Sequence, residues 1–102
     1  MNGVTSVTPV VVSFAGGVLK FKITAEIDPP NGVEMSPTAT GAYSVDTWQD
    51  TGVNMNRIGT SNDYESDVIE LDPVPLGATI TCDVDYEAQY QASGSGNHVL
   101  PD

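Results

Sequence analysis

From Leu19 to Ile27 the chain alternates without a slip. Leu19, Phe21, Ile23, Ala25 and Ile27 are apolar, and Lys20, Lys22, Thr24 and Glu26 between them are polar. A side-chain period of two belongs to a strand with one dry and one wet face. Asp28-Pro29-Pro30-Asn31-Gly32 ends the run, because proline donates no ladder bond and Asn-Gly favours a turn. A second run is longer: Ala78, Ile80, Cys82, Val84, Tyr86, Ala88, Tyr90 and Ala92 alternate with Thr79, Thr81, Asp83, Asp85, Glu87, Gln89 and Gln91. Fully extended it would span roughly 50 Å at about 3.3 Å per residue, beyond the usual strand length. Its far end is therefore expected to bend, change sheets or project towards a partner.

Weaker strand signals lie at Val10, Val12 and Phe14, closed by Gly16-Gly17, and at Val33 to Met35, Tyr43 to Trp48, Val53 to Ile58 and Val68 to Leu71. Thr, Ser, Gly, Asn and Asp fill the intervals, as turns require. This arithmetic predicts an all-β sandwich of about seven or eight antiparallel strands in a single domain. The domain is expected over residues 1–92, with 1–9 as an N-terminal arm. Ser93-Gly94-Ser95-Gly96 reads as a flexible connector, so 93–102 is expected to be a connector and C-terminal arm.

Composition narrows the chemistry. A chain of 102 residues, 39 % apolar, holds one modest core. No stretch approaches the roughly 20 apolar residues that span a bilayer, and no basic segment followed by an apolar run marks a signal peptide. No membrane partner is expected. Fourteen acids face only Lys20, Lys22 and Arg57, a formal net charge of −11. Such a surface repels phosphate backbones, which disfavours nucleic acid as a partner. Cys82 is the sole cysteine, so no intramolecular disulfide forms, and no asparagine begins an Asn-x-Ser/Thr sequon.

Catalytic residues do not emerge. Cys82 falls on the apolar face of its strand and His98 lies in the C-terminal arm; a reactive thiol needs exposure and positive surroundings. With one histidine and no Gly-x-Ser-x-Gly turn, a serine triad has nothing to build on. No enzyme and no cofactor are expected. Asp83, Asp85 and Glu87 project from one strand face about 7 Å apart, and Asn62, Asp63, Glu65 and Asp67 form a second acidic cluster, read as a loop. Convergence of the two would make a calcium site, although neither matches an EF-hand loop. They are weak metal candidates beside the simpler reading of a solvated acidic face. Trp48, the only tryptophan, is expected in the core. Its alternative is an exposed glycan-binding platform with Gln49, Asp50 and Tyr64.

The segment Leu71-Asp72-Pro73-Val74-Pro75-Leu76-Gly77-Ala78-Thr79-Ile80-Thr81-Cys82-Asp83-Val84 resembles the E–F corner and F strand of immunoglobulin-like domains, with Leu19–Ile27 as the B strand. The partner cysteine is missing, and Ile80 stands where a tyrosine is expected, so the resemblance is to an Ig-like sandwich rather than an antibody-type domain. In size, acidity and style the chain is similar to the disulfide-free modules of bacteriophage virions, the capsid decoration (cement) proteins. That resemblance implies a non-enzymatic structural protein on the capsid surface of a virion. Its partner would be the major capsid protein or another virion protein, with itself as a homo-oligomer also open. Contacts would come from the arms, through Val4, Val7, Pro9, His98, Val99 and Leu100. The alternatives are an extracellular carbohydrate-binding or adhesion module, or a cell-surface Ig-like domain stiffened by calcium.

Overall fold

The computed structural model describes residues 3–28, 39–59, 61–87 and 91–101. They form eight strands: β1 (Gly3–Ala15), β2 (Val18–Asp28), β3 (Ala39–Val45), β4 (Trp48–Arg57), β5 (Asp63–Ser66), β6 (Ile69–Leu71), β7 (Thr79–Glu87) and β8 (Gln91–Val99). No helix occurs among the described residues. The fold is the expected all-β single domain, and every ladder in it is antiparallel. One sheet runs in the order β1-β2-β5-β4-β3-β7-β8, with β6 beside β5 on β2, and it rolls into a nearly closed barrel.

The two long alternations supply most of the interior. Leu19, Phe21, Ile23 and Ile27 of β2 and Ile80, Cys82, Val84 and Tyr86 of β7 are fully buried. Their polar partners face out. Burial of such side chains is worth about 1.5–3 kcal/mol each, so these two strands dominate the apolar driving force. Gly16 and Gly17 make the two-residue turn between β1 and β2, with φ of 60° and 80°. Both angles lie in the left-handed region that a primed hairpin turn demands.

Several expectations are corrected. The first strand's inward residues are Val7, Pro9, Val11 and Phe14, paired with Ala25, Ile23, Phe21 and Leu19. Val10 and Val12 alternate outward with them, 40 % and 53 % exposed, and a register shift between Val11 and Ser13 then moves the period by one residue and brings Phe14 inward. The stretch Tyr43 to Trp48 is not one strand but the end of β3, a turn at Asp46-Thr47 and the start of β4. Asp63 and Glu65 lie in β5, not in a loop. The expected strand Val33–Met35 and the turn at Pro29–Gly32 fall outside the described residues, as do 88–90.

The arms are also corrected. The N-terminal segment is the start of β1 from Gly3 onward, and Ser93 to Gly96 belong to β8. β8 returns antiparallel along β7, so the long alternation does not project beyond the body. Gly94 and Gly96 pair with Val84 and Cys82 and share their inward face. A Cβ on Gly94 would lie 2.7 Å from Val4 Cγ1, and one on Gly96 would fall on the Val7 carbonyl. These glycines therefore admit the close approach of β1 and are not a linker. Gly94 meets Val4 while Gly96 meets Val7, so β1 and β8 run in the same direction. Among the described residues no ladder joins them, and the seam is closed by packing.

Two further devices hold the barrel. Between β5 and β6 the chain steps away from β2, and Ser66 fills the gap: its hydroxyl accepts the Ile23 N–H at 2.9 Å and donates to the Asp67 carbonyl at 2.9 Å. At the other end, Val74 is buried and its N–H donates to the Gly17 carbonyl at 2.8 Å. Leu100, 2 % exposed, donates its N–H to the Ala78 carbonyl, and Gly77 donates to the Pro101 carbonyl. The residues after β8 are thus tied into the barrel end.

Candidate functional site

The residues expected to bind a partner do come together, but on strands. Val4 is half-buried under Gly94. Val7, Pro9 and Leu100 are buried and belong to the core, so their assignment as free contact residues is corrected: their apolar surface is already used by the barrel. His98 is exposed, and Val99 is 62 % exposed. Three residues on from Gly96 and Val7, the parallel progression of β8 and β1 reaches Val99 and Val10, with Val12 two residues further along β1. Three exposed valines therefore flank the seam. The Val10, Val12 and Phe14 spacing gave no sign of this, because the bulge at Val12 puts Phe14 on the opposite face from the two valines.

Trp48 is corrected from core to surface. It opens β4 at the tip of the β3–β4 hairpin and is 37 % exposed, its Nε1 donating to the Pro73 carbonyl at 3.0 Å. Tyr64, expected beside it on a glycan platform, is fully buried, with its ring 6.2 Å from Tyr86 in an edge-on arrangement. It pairs with Arg57 at the far end of β4, nine positions from Trp48 and roughly 30 Å away by strand rise. The expected platform of Trp48, Gln49, Asp50 and Tyr64 does not form.

A different surface takes in Gln49 and Asp50. On the outer face of β4, β3, β7 and β8 the registers align three rows across four strands. One row is Gln49, Ser44, Thr81 and Asn97; the next is Thr51, Ala42, Asp83 and Ser95; the third is Asn54, Thr40, Asp85 and Ser93. Two adjoining hollows lie on this face. One, of about 510 Å³, is lined by residues of the first two rows with the Tyr43–Asp50 pair between them. The other, of about 490 Å³, lies over Asp83, Asp85 and Ser93 to Ser95. Ala42 and Asp83 belong to both.

The electrostatics divide the barrel. Lys22 and Lys20, on the outer face of β2, reach Glu65 at 2.9 Å and Glu70 at 3.6 Å. Arg57 donates through Nε to the Ser61 carbonyl at 2.8 Å. None of the three cations lines either hollow. Tyr43's hydroxyl is held above its ordinary pKa by burial and then by the charge of Asp50. Cys82 is fully buried, and its thiol is pushed up to about 12 by burial and then by Asp83, which suits a structural thiol. Asp83 and Asp85 stand exposed on β7, while the side chain of Glu87 lies outside the described ones. Among the described residues no three acidic, histidine or cysteine groups gather closely enough to hold a metal.

No family model matches the chain, and no curated protein or solved structure does so either.

Proposed function

We propose that this is a non-enzymatic virion structural protein, a capsid decoration protein that seats on the shell and stabilises it. The observation that supports this reading is the strip of Val10, Val12 and Val99 along the β1/β8 seam, 40 %, 53 % and 62 % exposed. Three of the seven exposed large apolar side chains among the described residues lie on these two strands, and such a strip suits a surface that is covered in an assembly. Attachment then runs through a strip on rigid strands and not through free arms, so little ordering entropy is lost on docking. The charge of −11 keeps free copies apart and directs them to a neutral or basic lattice.

The test is sedimentation of the native source material, with mass spectrometry for this chain across the gradient. Stoichiometric migration with a megadalton particle is the expected result. Val12→Asp combined with Val99→Asp should release the chain from that particle while the purified domain keeps its β-sheet circular dichroism. A chain that stays at the top of the gradient as a free small protein refutes the assignment.

A further inference from the structure

We infer that the outer face of β4, β3, β7 and β8 is a binding trough for a neutral oligosaccharide lying across the strands. The two hollows adjoin through Ala42 and Asp83, so together they make one trough that crosses from Gln49 on β4 to Ser95 on β8. Its floor is low because Ala42 is the smallest side chain in the three rows. Its walls carry hydroxyls, amides and two carboxylates, which are the groups that exchange hydrogen bonds with sugar hydroxyls. A carboxylate accepts from two vicinal hydroxyls at once, and such charge-assisted bonds are the strong ones. Asp83 holds the central position, shared by both hollows.

The absence of cations from this lining selects against anionic ligands, and the charge of −11 adds to that. The near absence of exposed apolar side chains in the rows selects against an apolar protein patch. Adjacent strands present equivalent groups every ~4.8 Å, close to the advance of one pyranose unit along a glycan chain. A sugar lying across the strands therefore meets a polar side chain on each strand, except over Ala42 in the central row. All of these groups stand on hydrogen-bonded strands, so the trough is formed before the ligand arrives.

This inference uses none of the three valines of the attachment strip, of which only Val99 shares a strand, β8, with the trough. It is tested on the purified whole chain by ¹⁵N-labelled NMR titration, with neutral hexasaccharides of β-1,4-glucan, α-1,4-glucan and β-1,4-mannan as probes. An oligogalacturonate hexasaccharide and an octapeptide of alternating lysine and threonine serve as comparators. At least one neutral probe should shift the amides of Ala42, Ser44, Thr81, Asp83 and Ser95, equally at low and at physiological salt. Asp83→Ala should weaken that binding by about tenfold to a hundredfold, and Ala42→Phe, which fills the shared floor, should abolish it. Asp63→Asn, on β5, should leave it unchanged. The inference is overturned if no neutral probe shifts these amides at millimolar concentration. It is equally overturned if only the lysine peptide does so and physiological salt removes the effect, because the face is then a cation-docking surface.

Discussion

Replacing Gly96 by alanine tests the seam where β1 lies against β8. The added methyl would fall on the Val7 carbonyl, a backbone atom that cannot rotate away. Relief requires β1 to move, and β1 carries Val7, Pro9, Val11 and Phe14 against β2. Overpacking of this kind costs about 1–3 kcal/mol, and a backbone clash belongs at the upper end. The smaller entropy of the unfolded alanine chain returns about 0.4–1 kcal/mol. A net loss of about 2 kcal/mol lowers the melting temperature by about 8–16 °C for a domain near 100 residues. Thermal and urea unfolding followed by far-ultraviolet circular dichroism measure it. The three atoms nearest a Cβ on Gly94 belong to the side chains of Val4 and Val7, at 2.7 Å and 3.3 Å for the nearest of each, so Gly94→Ala should cost less. Val4→Ala should rescue Gly94→Ala but not Gly96→Ala. Ser95→Ala, on the outer face between them, should stay within about 0.5 kcal/mol of the parent. A Gly96→Ala domain that melts within about 2 °C of the parent would refute the proposed packing of β1 on β8.

Ser66→Ala should destabilise the domain by about 1–3 kcal/mol, because the buried Ile23 N–H loses its acceptor; urea unfolding gives the value, and a loss under about 0.5 kcal/mol would mean the gap is filled another way. Cys82 predicts an alkaline limb. Above about pH 9 the unfolded thiol ionises while the folded one, at about 12, holds its proton. The unfolded state then binds fewer protons, and stability falls by about 1.4 kcal/mol per pH unit between those values. Cys82→Ala should flatten that slope, and an unchanged slope contradicts the burial of the thiol. Trp48 should be quenched by acrylamide in the native state. Trp48→Phe should cost about 0.5–1.5 kcal/mol through loss of its bond to Pro73.

The parts of the fold legible in the sequence are those where one rule acts alone. β2 and β7 each keep strict alternation and a single dry face, so pattern and burial agree. β1 misleads because a bulge at Val12 breaks the period in the middle of a valine run. β8 misleads more deeply: Ser93-Gly94-Ser95-Gly96 has the composition of a linker, yet its glycines answer to a neighbouring backbone far away in sequence. Trp48 escapes the core because it is the first residue of β4, at the hairpin tip, where its indole bonds to the Pro73 carbonyl. Among the residues of the trough, the sequence showed only the acids of β7 and Gln49-Asp50 of β4. Their association with Ser44, Thr51 and Ser95 depends on the registers of four strands, which no local pattern specifies.

Seven strands around the barrel is an odd number, and every step between neighbours reverses direction. The count obliges the first and last strands to point the same way, as the contacts of Gly94 and Gly96 with β1 show. Gly3 therefore emerges at one end of the barrel and Val99 at the other. Peptide or cargo fused to the two ends is held apart by the length of the strands, roughly 30–40 Å at about 3.3 Å per residue. Copies joined head to tail would extend as a rod, where an even-stranded barrel would fold them back side by side. Tension applied between Gly3 and Val99 shears β1 along β2 and β8 along β7, loading many ladder bonds at once.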